Sequence, residues 1–146
     1  MTSLSFDDVL LIPQYSDIES RKALSTENKL GDIQLALPII SSPMDTVTEV
    51  DMSLAMDTHG GLGIIHRYNS PAEQAQLVKV AKLKGLTNVG AAVGVTGDYL
   101  ERAQAVVDSG AIVLCVDIAH GHHSMMKSAL AKLRQAFGDS VHIMAG

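Results

Sequence analysis

Apolar residues along this chain fall into two alternating kinds of segment. The first kind is short and hardly interrupted by polar positions: 37–42 (LPIISS), 61–66 (GLGIIH), 88–95 (NVGAAVGV), 111–117 (AIVLCVD) and 141–146 (VHIMAG). Each has strand length. Continuous rather than alternating hydrophobicity predicts strands buried on both faces. The second kind carries apolar residues at intervals of three to four. Val47, Val50, Leu54 and the Ala55–Met56 pair predict a helix over 47–58. Ala75, Val78 and Leu83 predict one over 71–84, with Ser70 as its cap and Pro71 in its first turn. Leu100, Ala103 and Val107 predict one over 98–109, stopped at Gly110. Met126, Leu130, Leu133 and Phe137 predict one over 123–137, stopped at Gly138.

Strand and helix in strict alternation imply βα units and a parallel sheet. Such units build either an open doubly wound sheet or a closed barrel. An open nucleotide-binding sheet should carry G-x-G-x-x-G after its first strand. Here that strand runs into SSPMDT, and the later GGLG is too short and lacks the third glycine. The pattern therefore predicts an α/β fold of the (β/α)8 TIM-barrel type. Only five strands are legible, whereas a closed barrel takes eight in about 250 residues. Residues 1–146 are thus expected to form the N-terminal portion of a larger barrel, or one piece of a split one, as a single unit. Residues 1–36 read as a preamble of turns with room for a hairpin, because IPQYSD and ENKLGD are turn-rich.

Composition narrows the function classes. Hydrophobic residues make up 47% and charged residues 18%, which fits a globular chain. A net charge of −5, with no basic stripe and few aromatics, argues against nucleic-acid binding. Cys115 is the one cysteine, so no intrachain disulfide can form, and a reducing compartment is expected. The first residues, MTSLSFDDVLLIPQYS, lack the basic and long apolar regions of a signal peptide. No apolar run approaches the roughly 20 residues of a membrane span. The expectation is a cytoplasmic protein without membrane contact.

Barrels of this type carry their working residues at the C-terminal ends of the strands. Those ends hold Ser42, Met44 and Asp45; His66, Arg67 and Tyr68; Gly94 to Gly97; Asp117, Ala119, His120 and Gly121; and Gly146. The cluster His120, His122 and His123 invites a metal reading, but its spacing is too tight for a helical pair and no cysteine or carboxylate completes it. No metal site is expected; His120 shapes the loop, while His122 and His123 open the next helix. Cys115, inside a strand, reads as buried and inert. Asp7 and Asp8 read as a solvated turn, Lys79, Lys82 and Lys84 as a solvated helix face, and Met125, Met126 and Met144 as packing residues.

The blocks LSFDDVLLIPQYSDI, PIISSPMDTVTE, GGLGIIHRYN, NVGAAVGV and VDIAHGHH…IMAG occur in that order. They resemble the catalytic domain of IMP dehydrogenases and GMP reductases along essentially the whole chain. SSPMDTVTE is the most specific of them. The resemblance implies a (β/α)8 barrel that binds a purine nucleotide and a nicotinamide cofactor, NAD for a dehydrogenase or NADP for a reductase, in a homo-oligomer, usually a tetramer. It implies that Ser42 and Met44 contact the substrate nucleotide, that Asp117 faces the nicotinamide riboside with Ala119 at the next inward position, and that His66 and Arg67 lie towards the cofactor's other end. The nucleophile of the family is a cysteine on a later glycine-rich loop. It attacks C2 of the purine, hydride passes to NAD, and the adduct is hydrolysed. No residue of this chain matches that cysteine, so no catalytic residue is assigned and the chain is expected to be inactive alone.

Two motifs pull in different directions within the family. SSPMDTVTE, GGLGIIH and VGAAVG lean to the dehydrogenase, since reductases tend to have Ala-Asn where Ser42 and Pro43 stand. SDIESR and DIAHGH lean to the reductase, since dehydrogenases more often have two serines where Ile118 and Ala119 stand. The dehydrogenase is the leading reading, with GMP reductase and a non-catalytic assembly partner of a split enzyme kept beside it. KVAKLKGLTNVG runs directly from helix to strand, so the pair of small regulatory domains that many dehydrogenases insert there is absent.

Overall fold

A computed structural model describes residues 3–146. Its centre is a sheet of five parallel strands in simple sequential order. These are β3 (Ile40–Ser41), β4 (Leu62–Ile65), β5 (Gly90–Val93), β6 (Val113–Val116) and β7 (His142–Ala145). Ahead of them stands a hairpin of β1 (Asn28–Leu30) and β2 (Ile33–Leu35). The four crossovers are α1 (Val50–Thr58), α2 (Pro71–Leu83), α3 (Tyr99–Asp108) and α4 (Ser124–Phe137). The sheet does not close: β3 and β7 remain its edges. The fold is thus the first five βα strands of a barrel, as the alternation predicts.

The two faces of the sheet do different jobs. Ile65, Ala91, Val93, Leu114 and Val116 face the helices and pack with Val78, Ala81, Ala103, Val106, Met126, Ala129 and Leu133. Leu62, Ile64, Ala92, Val113 and Cys115 form the opposite, inner face, which Leu30, Ile33 and Leu35 of the hairpin cover. Every residue of β4, β5 and β6 is buried, which explains why these strands read as unbroken apolar runs. The hairpin meets the sheet at its N-terminal end. Gly31 turns with φ +58° directly under His142, and a Cβ there would lie 2.7 Å from Nδ1.

The helix boundaries follow local chemistry. Ser70 and Glu73 form a reciprocal capping box ahead of α2, with Pro71 in its first turn. Gly110 (φ +106°) and Gly138 (φ +54°) end α3 and α4 at conformations that L side chains avoid. His123 caps α4 by accepting the Met125 N–H at 3.1 Å.

The structure corrects several helix-face expectations. Leu83 is 77% exposed, and α2 instead buries Gln74, Val78 and Ala81. On α3 the buried face is Tyr99, Arg102, Ala103 and Val106, while Leu100 points outward. Met125 is exposed, whereas Met126 and Met144 pack as expected. Lys82 is not a freely solvated charge: its Nζ donates to the carbonyls of Leu86 and Thr87 at 2.8 and 3.1 Å, closing the turn after α2. Residues 3–27 are exposed throughout and contain a turn at 6–8 and a short 3₁₀ turn, Arg21–Ala23. Asp8 accepts the Ser5 N–H and hydroxyl, and these bonds lower its pKa.

Candidate functional site

Side chains alternate across a strand, so strand parity decides which rim residues face the barrel's interior. Ile40 pairs with inner-face Leu62, which gives Ser42, two residues on, the same inward parity. Gly94 follows inner-face Ala92 by two, and Asp117 follows inner-face Cys115 by two. One hydroxyl, one gap without a side chain and one carboxylate therefore share the inner rim at the strands' C-terminal ends.

The turn after β3 is built around a residue that hydropathy does not single out. Thr48 is fully buried, and its Oγ1 donates to the Ser42 carbonyl at 2.6 Å and meets Ser41 Oγ at 2.9 Å. Met44 N–H donates to the Ser42 carbonyl, and Thr48 N–H to the Met44 carbonyl, each at 2.9 Å. This compact turn leaves Ser42 exposed and Met44 half exposed at the rim. A hydroxyl and a soft thioether are thereby presented side by side.

The loop after β4 is held by three long-range contacts. His66 is 3% exposed. Its Nδ1 accepts the Tyr68 N–H at 3.1 Å, and its Nε2 meets Glu49 Oε1 at 3.0 Å. The proton therefore sits on Nε2, and both ring nitrogens are engaged within the chain. Next, Arg102 of α3 reaches under the loop. It donates to the Asn69 carbonyl at 2.8 Å and to Gln74 Oε1 at 3.1 Å. Gln74, fully buried, donates onward to the carbonyls of Ile65 and Ala92 at the ends of β4 and β5. The third contact is Arg67, whose Nη2 donates to the Asp117 carbonyl at 3.1 Å and whose Nε lies 3.7 Å from Asp117 Oδ2.

Asp117 leaves β6 with its N–H bonded to the Val93 carbonyl at 2.9 Å, so it stands beside the end of β5. Its carboxylate is about one-third exposed (33%) and reaches the rim. Two residues down the same face, the Cys115 thiol is pushed up to about 11 by burial and, secondarily, by the Asp117 charge. That thiol is neither exposed nor ionised at neutral pH, as its strand position predicts. Ala119, His120 and Gly121 follow in an exposed loop, and a Cβ on Gly121 would lie 2.8 Å from the Gly146 carbonyl oxygen. His120, His122 and His123 are all exposed, and no group of three metal-capable side chains occurs among the described residues.

Sequence reasoning thus locates Ser42, Met44, His66, Arg67, Asp117 and Ala119 at one end of the sheet, and the structure brings Arg67 and Asp117 into contact. It does not anticipate Thr48, Gln74 or Arg102. Their signal is a polar residue on a helix or turn where an apolar one would keep the period.

A parallel βα sheet with a covered bottom and a polar rim at its strands' C-terminal ends defines a protein of the (β/α)8 class, here an open five-strand part of one. The chain belongs to the IMP dehydrogenase / GMP reductase family, whose domain model matches residues 3–146. It is 27% identical over 260 residues to an inosine-5'-monophosphate dehydrogenase of Nitrosopumilus maritimus, covering 93% of this chain and 55% of that protein. An inosine-5'-monophosphate dehydrogenase of Cryptosporidium parvum is 33% identical over 162 residues, 82% of this chain and 40% of the relative. A GMP reductase of Leishmania donovani is 48% identical over 80 residues, 54% of this chain and 16% of the relative. The chain spans about half the length of the Nitrosopumilus relative and less of the other two. Among the described residues, no helix is long and apolar enough to cross a membrane.

Proposed function

We propose that this chain supplies the nucleotide- and cofactor-facing part of the rim of an IMP dehydrogenase-type oxidoreductase, which converts IMP, NAD and water to XMP and NADH. The observation that carries the reading is the shared inward parity of Ser42, Gly94 and Asp117 at the ends of β3, β5 and β6. Ser42 and Met44 hold the purine nucleotide: the hydroxyl suits a phosphate or ribose edge, and the thioether suits a flat base. Asp117 fits a nicotinamide riboside, because its carboxylate is partly exposed at the mouth and accepts hydrogen bonds from ribose hydroxyls. Ala119 lines the same side, and His66 and Arg67 belong to the cofactor's surroundings. When bound, NAD supplies the hydride acceptor.

The family's nucleophilic step has no agent here. Cys115 is the one cysteine, and its thiol is buried in the sheet. The chain therefore orients ligands and requires a second polypeptide, or further residues, for turnover. Only residues 84–89 separate α2 from β5, which supports the reading that no regulatory insertion stands between them. In the complete assembly the chain takes part in a tetramer.

Titrating the chain with IMP should shift the amide signals of Ser42 and Met44, and titrating with NAD those of Asp117 and Ala119. An assembly completed by the cysteine-bearing portion should form NADH from IMP and NAD. A folded, complete assembly that does not would refute the dehydrogenase reading. The second reading, GMP reductase, is favoured by Ile118 and Ala119 after the rim acid; GMP with NADPH, run in parallel, separates the two.

A further inference from the structure

Arg67 lies where no separate ligand is needed to explain it. It leaves the end of β4, passes over the end of β5 and reaches the end of β6. The crossing is made at Gly94, where a Cβ would already stand 3.6 Å from Nη1. At the far side Nη2 donates to the Asp117 carbonyl, and Nε, buried with no hydrogen-bond partner, faces Oδ2 at 3.7 Å. The guanidinium also lies 5.9 Å from the Tyr68 ring, which limits its swing on the solvent side. A side chain aimed at an incoming phosphate would hold its fork towards solvent. This one has turned its fork onto the neighbouring strand end.

We infer that Arg67 is a positioning residue for Asp117: it bridges three adjacent strand ends and serves the cofactor subsite through the carboxylate rather than by touching the ligand. The inference rests on the reading of Asp117 as cofactor-facing. Its geometry explains the choice of arginine. The planar guanidinium donates to the carbonyl through Nη2 while Nε holds charge 3.7 Å from the carboxylate, whereas an ammonium is a single point charge. At residue 94 a Cβ would make ordinary van der Waals contact with the guanidinium, so alanine fits there, whereas a longer side chain on that face would lift the guanidinium off Asp117.

The test uses the full chain, NAD as probe and a double-substitution cycle. Arg67→Met should displace the Asp117 and Ile118 amide signals in the absence of any nucleotide. It should weaken NAD binding about tenfold, the scale of one charge-assisted hydrogen bond. Asp117→Asn should weaken NAD binding at least as much, and the double variant should bind no worse than Asp117→Asn alone. Arg67→Lys should behave like Arg67→Met within about twofold. Additive losses would overturn the inference and make Arg67 a direct ligand contact. Full retention of affinity by Arg67→Lys would overturn it in favour of a simple charge effect. Unmoved Asp117 and Ile118 amides would overturn the bridge itself. A wild-type chain that fails to bind NAD would overturn the cofactor reading instead, and the bridge would still be judged by the amide signals.

Discussion

Replacing Arg102 by methionine isolates the polar network beneath the β4–α2 loop. Methionine keeps an apolar stem of similar reach and removes the guanidinium. Arg102 is 7% exposed and has four contacts within reach: Asn69 O at 2.8 Å, Asn69 Oδ1 at 3.4 Å, Gln74 Oε1 at 3.1 Å and Asp98 Oδ2 at 3.2 Å. They are not equal. The Asp98 carboxylate is 47% exposed, so its ion pair contributes at most about 1 kcal/mol. Gln74 is fully buried, and stranding its Oε1 costs about 1–3 kcal/mol. Losing the donor to the Asn69 carbonyl adds about 1 kcal/mol. The expected loss is therefore roughly 3 kcal/mol, a large share of the 5–15 kcal/mol typical of a whole domain. Urea unfolding of Arg102→Met and Asp98→Ala measures it. Asp98→Ala should lose under about 1 kcal/mol. A loss under about 1 kcal/mol for Arg102→Met, or equal losses for the two variants, would refute the assignment of the energy to the buried amide.

Three further outcomes follow from single contacts. Ser70→Ala removes the acceptor for Glu73 N–H and half of the capping box, and should lower stability by about 1 kcal/mol in the same unfolding assay. Gly63→Ala drives a Cβ to 2.6 Å from Ser53 Oγ and 2.7 Å from its Cα, so α1 must move off β4; the expected cost is about 1–3 kcal/mol, and a neutral result would show that α1 is loosely seated. Cys115 should resist alkylation at pH 8. Its folded pKa, raised to about 11 from 9.0, means that stability held below pH 9 is lost as pH climbs towards 11, because only the unfolded thiol ionises in that window. Cys115→Ala should flatten that part of the pH–stability profile.

The strands were legible because they are buried on both faces, a condition that leaves a continuous apolar signature. Helix ends were legible where capping chemistry is explicit, at Ser70, Gly110 and Gly138. The buried faces of α2 and α3 were not, since each buries a polar residue where the period calls for an apolar one. Gln74 displaces the apolar stripe because two strand-end carbonyls need a donor, and Arg102 because Gln74 and Asn69 need one in turn. Apolar periodicity registers such residues as exposed and shifts the inferred face accordingly, towards Leu83 and Leu100, which the fold leaves at the surface. Strand-end position, which needs only correct strand boundaries, places Ser42, Met44, Arg67 and Asp117 among the rim residues, and it is the family resemblance that singles them out there.

The loop after β4 combines a buried polar network with a strand-end contact. It is only a few residues long, yet it is fastened from three sides. Glu49 ahead of α1 holds it through His66, Arg102 on the helix layer holds it through Asn69, and its own Arg67 reaches across the inner rim to Asp117. Two of these anchors, Glu49 and Arg102, come from outside the sheet. The third lies at the mouth, against the Asp117 carboxylate that a ligand would meet. A loop pinned only from the helix layer would leave the end of β6 free to shift relative to β4, because strand pairing between them passes through β5. Arg67 supplies the direct link, and Gly94 leaves the space for it. The rim's geometry is therefore set by residues on adjacent units acting together, which is a property of the folded sheet rather than of any one motif in the sequence.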